Sequence, residues 1–272
     1  MFETLVGQNL VKKKLQFYKE SYDTSKRMPF LFFVGAKGLG KTEFAKQLAK
    51  EIKNTDGSRR PFLEINCSTL KRVDDIFEQI FLPLIYNNEV TVLFDEAHEL
   101  PKGLTNAFLT IFNTDQDHIK DFNLNDQVFT FDFTKQSFFF ATTESDKVFA
   151  PLKDRLITVD FEPYTKKELS EIISRVSVLS GGGVKGIKFN IGSESVLVSS
   201  NNPEQEAGEE SFQSDFNGDD IEVAFSVNYI QEMLSNIDSE HCIFHIFGSE
   251  KGCLVTSTSD SELKYVIAPL LL

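Results

Sequence analysis

The chain has 272 residues, 41% of them hydrophobic and 25% charged, with 28 Lys+Arg against 41 Asp+Glu for a net charge of −13. These fractions are those of a soluble globular protein with room for one large domain or two ordinary ones. No apolar run approaches bilayer-crossing length, no signal-peptide pattern opens the chain, and neither a membrane partner nor a leader is expected. Cys67, Cys242 and Cys253 form no disulfide framework and no metal-type CxxC pair, so a reducing, cytoplasmic compartment is expected. The charge is uneven: residues 1–164 hold 21 Lys+Arg against 24 Asp+Glu, and residues 165–272 hold 7 against 17. An acidic second half argues against tight gripping of phosphates, though a protein can enclose DNA without gripping it.

In chain order, the run Phe30 to Val34 predicts a buried strand, followed by a glycine-rich loop and an amphipathic helix. The loop, Gly35-Ala36-Lys37-Gly38-Leu39-Gly40-Lys41-Thr42, matches GxxxxGK[ST] in full. Its glycines, Gly35, Gly38 and Gly40, let backbone N–H groups turn toward phosphates at a helix N-terminus. Lys41 would reach the β- and γ-phosphates of ATP, and Thr42 would ligate magnesium. A second buried strand, Val90 to Phe94, ends in Asp95-Glu96. Alone, that pair reads as a solvated acidic strand end. Beside the loop it reads as a magnesium carboxylate, Asp95 acting through water, and a water-polarising Glu96. His98 just beyond reads as a surface or packing residue.

Residues 119–136 alternate apolar and polar around turn residues and predict a β-hairpin. A third buried strand, Ser137 to Ala141, ends in Thr142-Thr143, where a hydroxyl can sense the γ-phosphate. Arg155 follows a short helical stretch; by itself it is a surface salt-bridge residue, and placed here it can reach a neighbouring subunit's nucleotide. Leu156–Phe161 reads as a strand. Leu169, Ile172, Ile173, Val176 and Leu179 recur at helical spacing over residues 166–179. The register then switches to alternation, with Ile187, Phe189 and Ile191 on one face, a return strand around Val196–Ser199, a strand leading into a second amphipathic helix, and three closing strands. Grouped this way, the second half reads as an α+β domain. The acidic string across residues 204–210 reads as a solvated face, without metal-ligand spacing.

The order "LVGQ", "GAKGLGKT", "FDEAHEL", "ATTESD", "PLKDR" resembles the AAA+ ATPases, in particular the Holliday-junction branch-migration motor (RuvB) and the clamp loaders, over about residues 2–175. The resemblance implies an α/β P-loop domain of parallel strands flanked by helices, with ATP and magnesium as cofactors. It places Val6, Gly7 and Gln8 against the adenine, Thr143 at the sensor-1 position and Arg155 as the arginine finger. "GAK" departs from the motor's usual "GPP".

Over about residues 166–272 the chain resembles a different family, the third domain of the bacterial sliding clamp, the β subunit of DNA polymerase III. "SSNNPEQEAGEE", "FSVNYIQEMLSNI" and "KYVIAPLLL" carry the resemblance. It implies a DNA-clamp fold whose C-terminal segment, Val266, Ala268, Pro269, Leu270, Leu271 and Leu272, receives clamp-binding peptides of polymerases and loaders. An ordinary core strand is the alternative for that tail. Lys166, Lys167 and Arg175 on one helix, and Asn228, Gln231 and Asn236 on the other, are candidates to face DNA; solvated helix faces are the alternative.

The helix 166–179 serves both patterns, as the first lid helix of one family and the opening helix of the other, so "SGGG" reads as a turn. The expected domains are 1–164 and 165–272, sharing that helix. Only one arginine, Arg175, follows Arg155, so an AAA+ lid with its own nucleotide-touching arginine is expected to be missing and hydrolysis slow. The expected function is an ATP-binding DNA replication or recombination factor, a homo-oligomer with a ring as one form. The alternatives are a non-catalytic clamp-type binding module with a degenerate ATPase, and a chimera without joint function.

Overall fold

The structure is a computed structural model, and it describes every residue except 3–4, 113–118, 125–126, 179–185, 193–194, 202–206, 213–215, 217, 261 and 271–272. The chain divides into two compact units. One holds residues 1–2, 9–36 and 40–161, and the other holds 3–8, 37–39 and 162–272.

The first unit runs α1 (Asn9–Ser25), β1 (Leu31–Val34), α2 (Lys41–Glu51), β2 (Phe62–Asn66) and α3 (Val73–Ile76), which continues as a π-helical stretch, Phe77–Ile85. There follow β3 (Val90–Asp95), α4 (Lys102–Ile111), β4 (Ile119–Leu124), β5 (Gln127–Asp132), β6 (Gln136–Thr142), α5 (Ala150–Lys153) and β7 (Ile157–Asp160). Five strands form one parallel sheet in the order β2-β3-β6-β1-β7. Helices cover both faces of such a sheet, which is why β3 and β6 read as continuous apolar runs. All seven residues of β6 are buried.

Phenylalanine builds this core; the chain has 27 Phe and no Trp. Phe94 stacks on Phe140 with ring centroids 5.3 Å apart, and Phe108 of α4 stacks on Phe112 at 5.1 Å. Each such ring buries a large apolar area without a polar group to satisfy. The predicted hairpin is present as the antiparallel pair β4–β5.

The second unit runs α6 (Lys166–Ser177), β8 (Gly186–Ile191), β9 (Val196–Asn201), β10 (Ala207–Phe212), β11 (Ile221–Ser226), α7 (Val227–Asn236), β12 (Cys242–Ile246), β13 (Cys253–Ser257) and β14 (Lys264–Ile267). Its sheets are antiparallel, ordered β10-β9-β8-β11 and β12-β13-β14. The alternation of β8 is realised, with Ile187, Phe189 and Ile191 buried on one face. They share a core with Ile172, Ile173 and Val176 of α6 and Ile230, Met233 and Leu234 of α7. Thr165 and Glu168 close a capping box that starts α6, satisfying N–H groups that the first helical turn leaves without partners.

Of the acidic string, residues 204–206 lie outside the described residues and Glu209 is exposed. Residues Ala207–Phe212 pair with β9 as a fourth strand, and Phe212 is buried. Partial burial on this strand raises the carboxyl of Glu210 above its ordinary value, against the opposing charge of Arg175. Leu179 and the "SGGG" turn lie outside the described residues. Among the described residues no helix is long and apolar enough to cross a membrane.

Candidate nucleotide site

In a parallel sheet every strand ends on the same edge, so loops far apart in sequence meet there. Val34 of β1 lies in register with Thr142 of β6, and Phe94 of β3 with Phe140 of β6. The segments after Val34, Phe94 and Thr142 therefore gather beside one another. The backbone N–H of Gly35 reaches the Thr142 carbonyl at 3.4 Å.

The loop ahead of α2 depends on backbone freedom. Gly40, at the N-cap of α2, has φ 87°, a left-handed conformation in which any side chain would be strained. Lys41 is buried, and its ammonium donates to the carbonyls of Gly35 and Ala36 at 2.7 and 2.6 Å. The Thr42 hydroxyl donates to Asp95 Oδ2 at 3.0 Å, which brings the two predicted magnesium ligands together.

Glu96 follows Asp95 with φ 53° and ψ 50°. A left-handed conformation at a residue with a side chain costs about 1–3 kcal/mol and tends to persist where function over-determines it. The kink is held by the Glu96 N–H, which donates to Asp95 Oδ1 at 3.0 Å. The Thr143 hydroxyl approaches Glu96 Oε2 at 3.4 Å. Asp95, Glu96, Thr42 and Thr143 thus form one chain of contacts.

His98 is neither at the surface nor packed in an apolar setting. Its side chain is 8% exposed, and Nδ1 lies 2.9 Å from Thr142 Oγ1. Its place in "DEAHEL", two residues past Glu96, was the available signal, but nothing in the sequence brings Thr142 beside it.

Thr42 and Asp95 offer a hydroxyl and a carboxylate, the hard oxygen donors that magnesium takes. Among the described residues no group of three or more His, Cys, Asp or Glu is arranged to hold a metal. Cys67, nearby in charge terms, takes no part as a nucleophile. Burial, aided by the charges of Asp95, Glu96 and Glu99, pushes its thiol far above the ordinary range.

Other predicted residues go elsewhere. Arg155 is half-buried and donates through Nη1 to the Pro151 carbonyl at 2.6 Å, outside the Asp95–Glu96 contacts. Val6 is buried in the second unit's core. Gly7 has φ 65°, and a side chain there would strike the Glu168 carboxylate. Gln8 donates from its backbone to Glu168 Oε1 at 3.0 Å and from Nε2 to the Glu162 carbonyl at 2.6 Å. Glu168, unremarked in the sequence, thereby serves both the capping box and the Gly7-Gln8 turn.

On the helix pair, Lys167 is exposed and Lys166 half-buried, while Arg175 pairs with Glu171 at 2.6 Å. Gln231 joins α7 to α6 through the Ser170 carbonyl at 2.9 Å and Ser174 Oγ at 3.0 Å. Asn236 donates to the Glu232 carbonyl. At the C-terminal segment Val266 is 76% exposed, Ala268 is exposed, and Pro269 and Leu270 are half-buried. The Leu270 N–H donates to the Ala224 carbonyl at 2.7 Å. Leu271 and Leu272 lie outside the described residues.

A helix-flanked parallel sheet with ammonium, hydroxyl and carboxylate groups along its carboxyl edge is consistent with an AAA-type domain, and the second unit is antiparallel. Residues 31–162 match the family model of the ATPase family associated with various cellular activities (AAA), and residues 155–271 match that of the DNA polymerase III beta subunit, C-terminal domain. The two matched stretches overlap at residues 155–162. Among curated relatives, the beta sliding clamp of Pseudomonas aeruginosa is 31% identical over 117 residues, covering 43% of this chain and 30% of that protein. That of Vibrio cholerae is 30% identical over 104 residues, covering 38% and 28%. The crystal structure of the DNA polymerase III subunit beta from Pseudomonas aeruginosa aligns at 31% identity and a TM-score of 0.39, over 40% of this chain and 30% of that one. The chain spans about 30% of the length of these curated relatives.

Proposed function

We propose that the chain is an ATP-dependent DNA replication or recombination factor in which an AAA-type nucleotide module, 1–164, is joined to a sliding-clamp-type domain, 165–272. The observation that carries this reading is the meeting of Lys41, Thr42, Asp95, Glu96 and Thr143 along one edge of a parallel sheet. Residues 35–42 would cradle the phosphates of ATP through loop N–H groups and the Lys41 ammonium. Thr42 and Asp95 would hold magnesium, which supplies charge neutralisation on the phosphates. Glu96 orients a water and accepts its proton as the water oxygen bonds to the γ-phosphorus; the bond to the ADP oxygen breaks and phosphate leaves. Thr143 marks the γ-phosphate. Arg155 serves the site of a neighbouring copy in a ring, where such an arginine is worth about 10³–10⁵ in rate.

The clamp-type domain contributes DNA and polymerase-type partners. Lys166, Lys167 and Arg175 lie on its first helix, and Val266, Ala268, Pro269 and Leu270 lie on the strand end that would dock a partner peptide. Its acidity suits a protein that surrounds DNA without gripping phosphates. A second reading, slow hydrolysis, is favoured by the scarcity of arginine: Arg175 is the one arginine after Arg155, and it pairs with Glu171.

The experiment is steady-state ATP turnover by the full chain, with and without closed circular DNA, beside Lys41→Ala. The expected result is DNA-stimulated turnover that Lys41→Ala abolishes. Equal rates in both proteins, or no affinity for ATP with magnesium present, would overturn the reading.

A further inference from the structure

We propose that His98 is a positioning residue for the Glu96 carboxylate, tying the end of β3 to the end of β6. The inference rests on the reading of Glu96 as the group that orients water for ATP hydrolysis. The imidazole lies between the two strand ends. Nδ1 is 2.9 Å from Thr142 Oγ1 and 3.5 Å from Glu96 Oε2. On the opposite edge of the ring, Nε2 is 3.4 Å from Glu144 Oε1 and 3.7 Å from Glu99 Oε1. Glu144 is anchored in turn: its N–H donates to Thr142 Oγ1 at 3.0 Å, and its carboxylate pairs with Lys147 at 2.5 Å.

A ring only 8% exposed, facing three carboxylates and a hydroxyl, is in no sense an apolar packing residue. Buried polar groups keep such partners because leaving them unmade is costly. Glu96 needs that support. It stands on a left-handed kink, its side chain is 32% exposed, and the Thr143 contact is long at 3.4 Å. A glutamate carboxylate with three side-chain torsions and one long contact would sample many orientations, whereas water activation requires one. The ring next to it restricts that choice and makes the carboxylate answer to the strand end that carries Thr142 and Thr143.

The test uses the full chain as wild type, His98→Ala, His98→Gln, Thr142→Val and the His98→Ala/Thr142→Val double variant. Turnover number, KM and the Kd of a fluorescent ATP analogue are measured, and thermal melts report folding. His98→Ala should lower turnover by about 10- to 100-fold with KM and Kd unchanged. His98→Gln, which keeps a donor and an acceptor, should recover most of that loss. Thr142→Val should resemble His98→Ala, and the double variant should be no worse than either single one, as for residues in one network. Turnover within twofold of wild type in His98→Ala and Thr142→Val, equal losses in turnover and nucleotide binding, or full additivity would overturn the role. If His98→Ala does not fold, Thr142→Val decides by the same criteria. A wild type without Lys41-dependent turnover overturns the ATPase reading and the His98 role together; normal wild-type turnover with an unaffected Thr142→Val overturns the role alone.

Discussion

The two units of this chain bury comparable cores in opposite ways. In the first, five parallel strands all end on one edge, and that edge collects Lys41, Thr42, Asp95, Glu96, His98 and Thr143. In the second, antiparallel strands end alternately on opposite sides, so no edge gathers loops from the whole unit. Its polar side chains serve other ends. Gln231 joins two helices, Glu168 caps α6, and Lys188 pairs across strands with Glu222. The charge follows the same division, −3 over residues 1–164 and −10 over 165–272 by the counts above. Parallel topology concentrates chemistry, whereas the antiparallel unit offers shape and surface.

The sharpest way to break that comparison is to alter a carboxylate in each unit. Glu96→Gln should lower ATP turnover by about 10²–10⁴-fold while leaving ATP affinity near wild type. Glu210→Gln, on β10, should leave turnover unchanged. Rapid-quench and equilibrium binding assays read both, and a matched loss in the two variants would erase the distinction. Core truncation comes next. Phe140→Ala, in the middle of the fully buried β6, should destabilise the first unit by about 3–5 kcal/mol, and Ile230→Ala on α7 should cost the second about 2–5 kcal/mol. Denaturant melts followed by probes in each unit would measure these.

The smallest effect is one of pH. Burial, with Glu168 and Glu210 nearby, pushes the Tyr164 hydroxyl up to about 12. A folded-state value raised above the unfolded one, about 10, means the contribution is complete below about pH 10 and is lost as pH rises toward 12. Alkaline melts of wild type should therefore weaken across that window, and Tyr164→Phe should remove its share of the decline. An identical alkaline profile in the variant would count against a buried phenol at this site.

Much of the first unit was legible because its elements announce themselves locally. The apolar runs around Phe32, Val92 and Phe139, the glycine loop and the acidic strand end each carry their own signal within a few residues. The second unit was legible by alternation at β8 and by the helical period of α6. Where reading failed, a distant partner decided. Residues 207–212 show neither a buried apolar run nor a clean alternation, yet pairing with β9 makes them a strand. Gln231 looks like a solvated helix residue until α6 is beside it. His98 reads as a bystander because Thr142 and Glu144 stand more than forty positions away along the chain.

By itself the sequence determined which segments become buried strands and amphipathic helices, where the glycine loop sits, and the acidity of the second half. Those properties are set by side-chain period, backbone freedom and charge, all local quantities. Only the tertiary structure decided that Thr42 meets Asp95, that Glu96 turns on a left-handed kink beside Thr143, and that His98 lies between the ends of β3 and β6. Strand order and register bring these groups together, and both emerge from packing across the whole sheet, which no short stretch of sequence encodes.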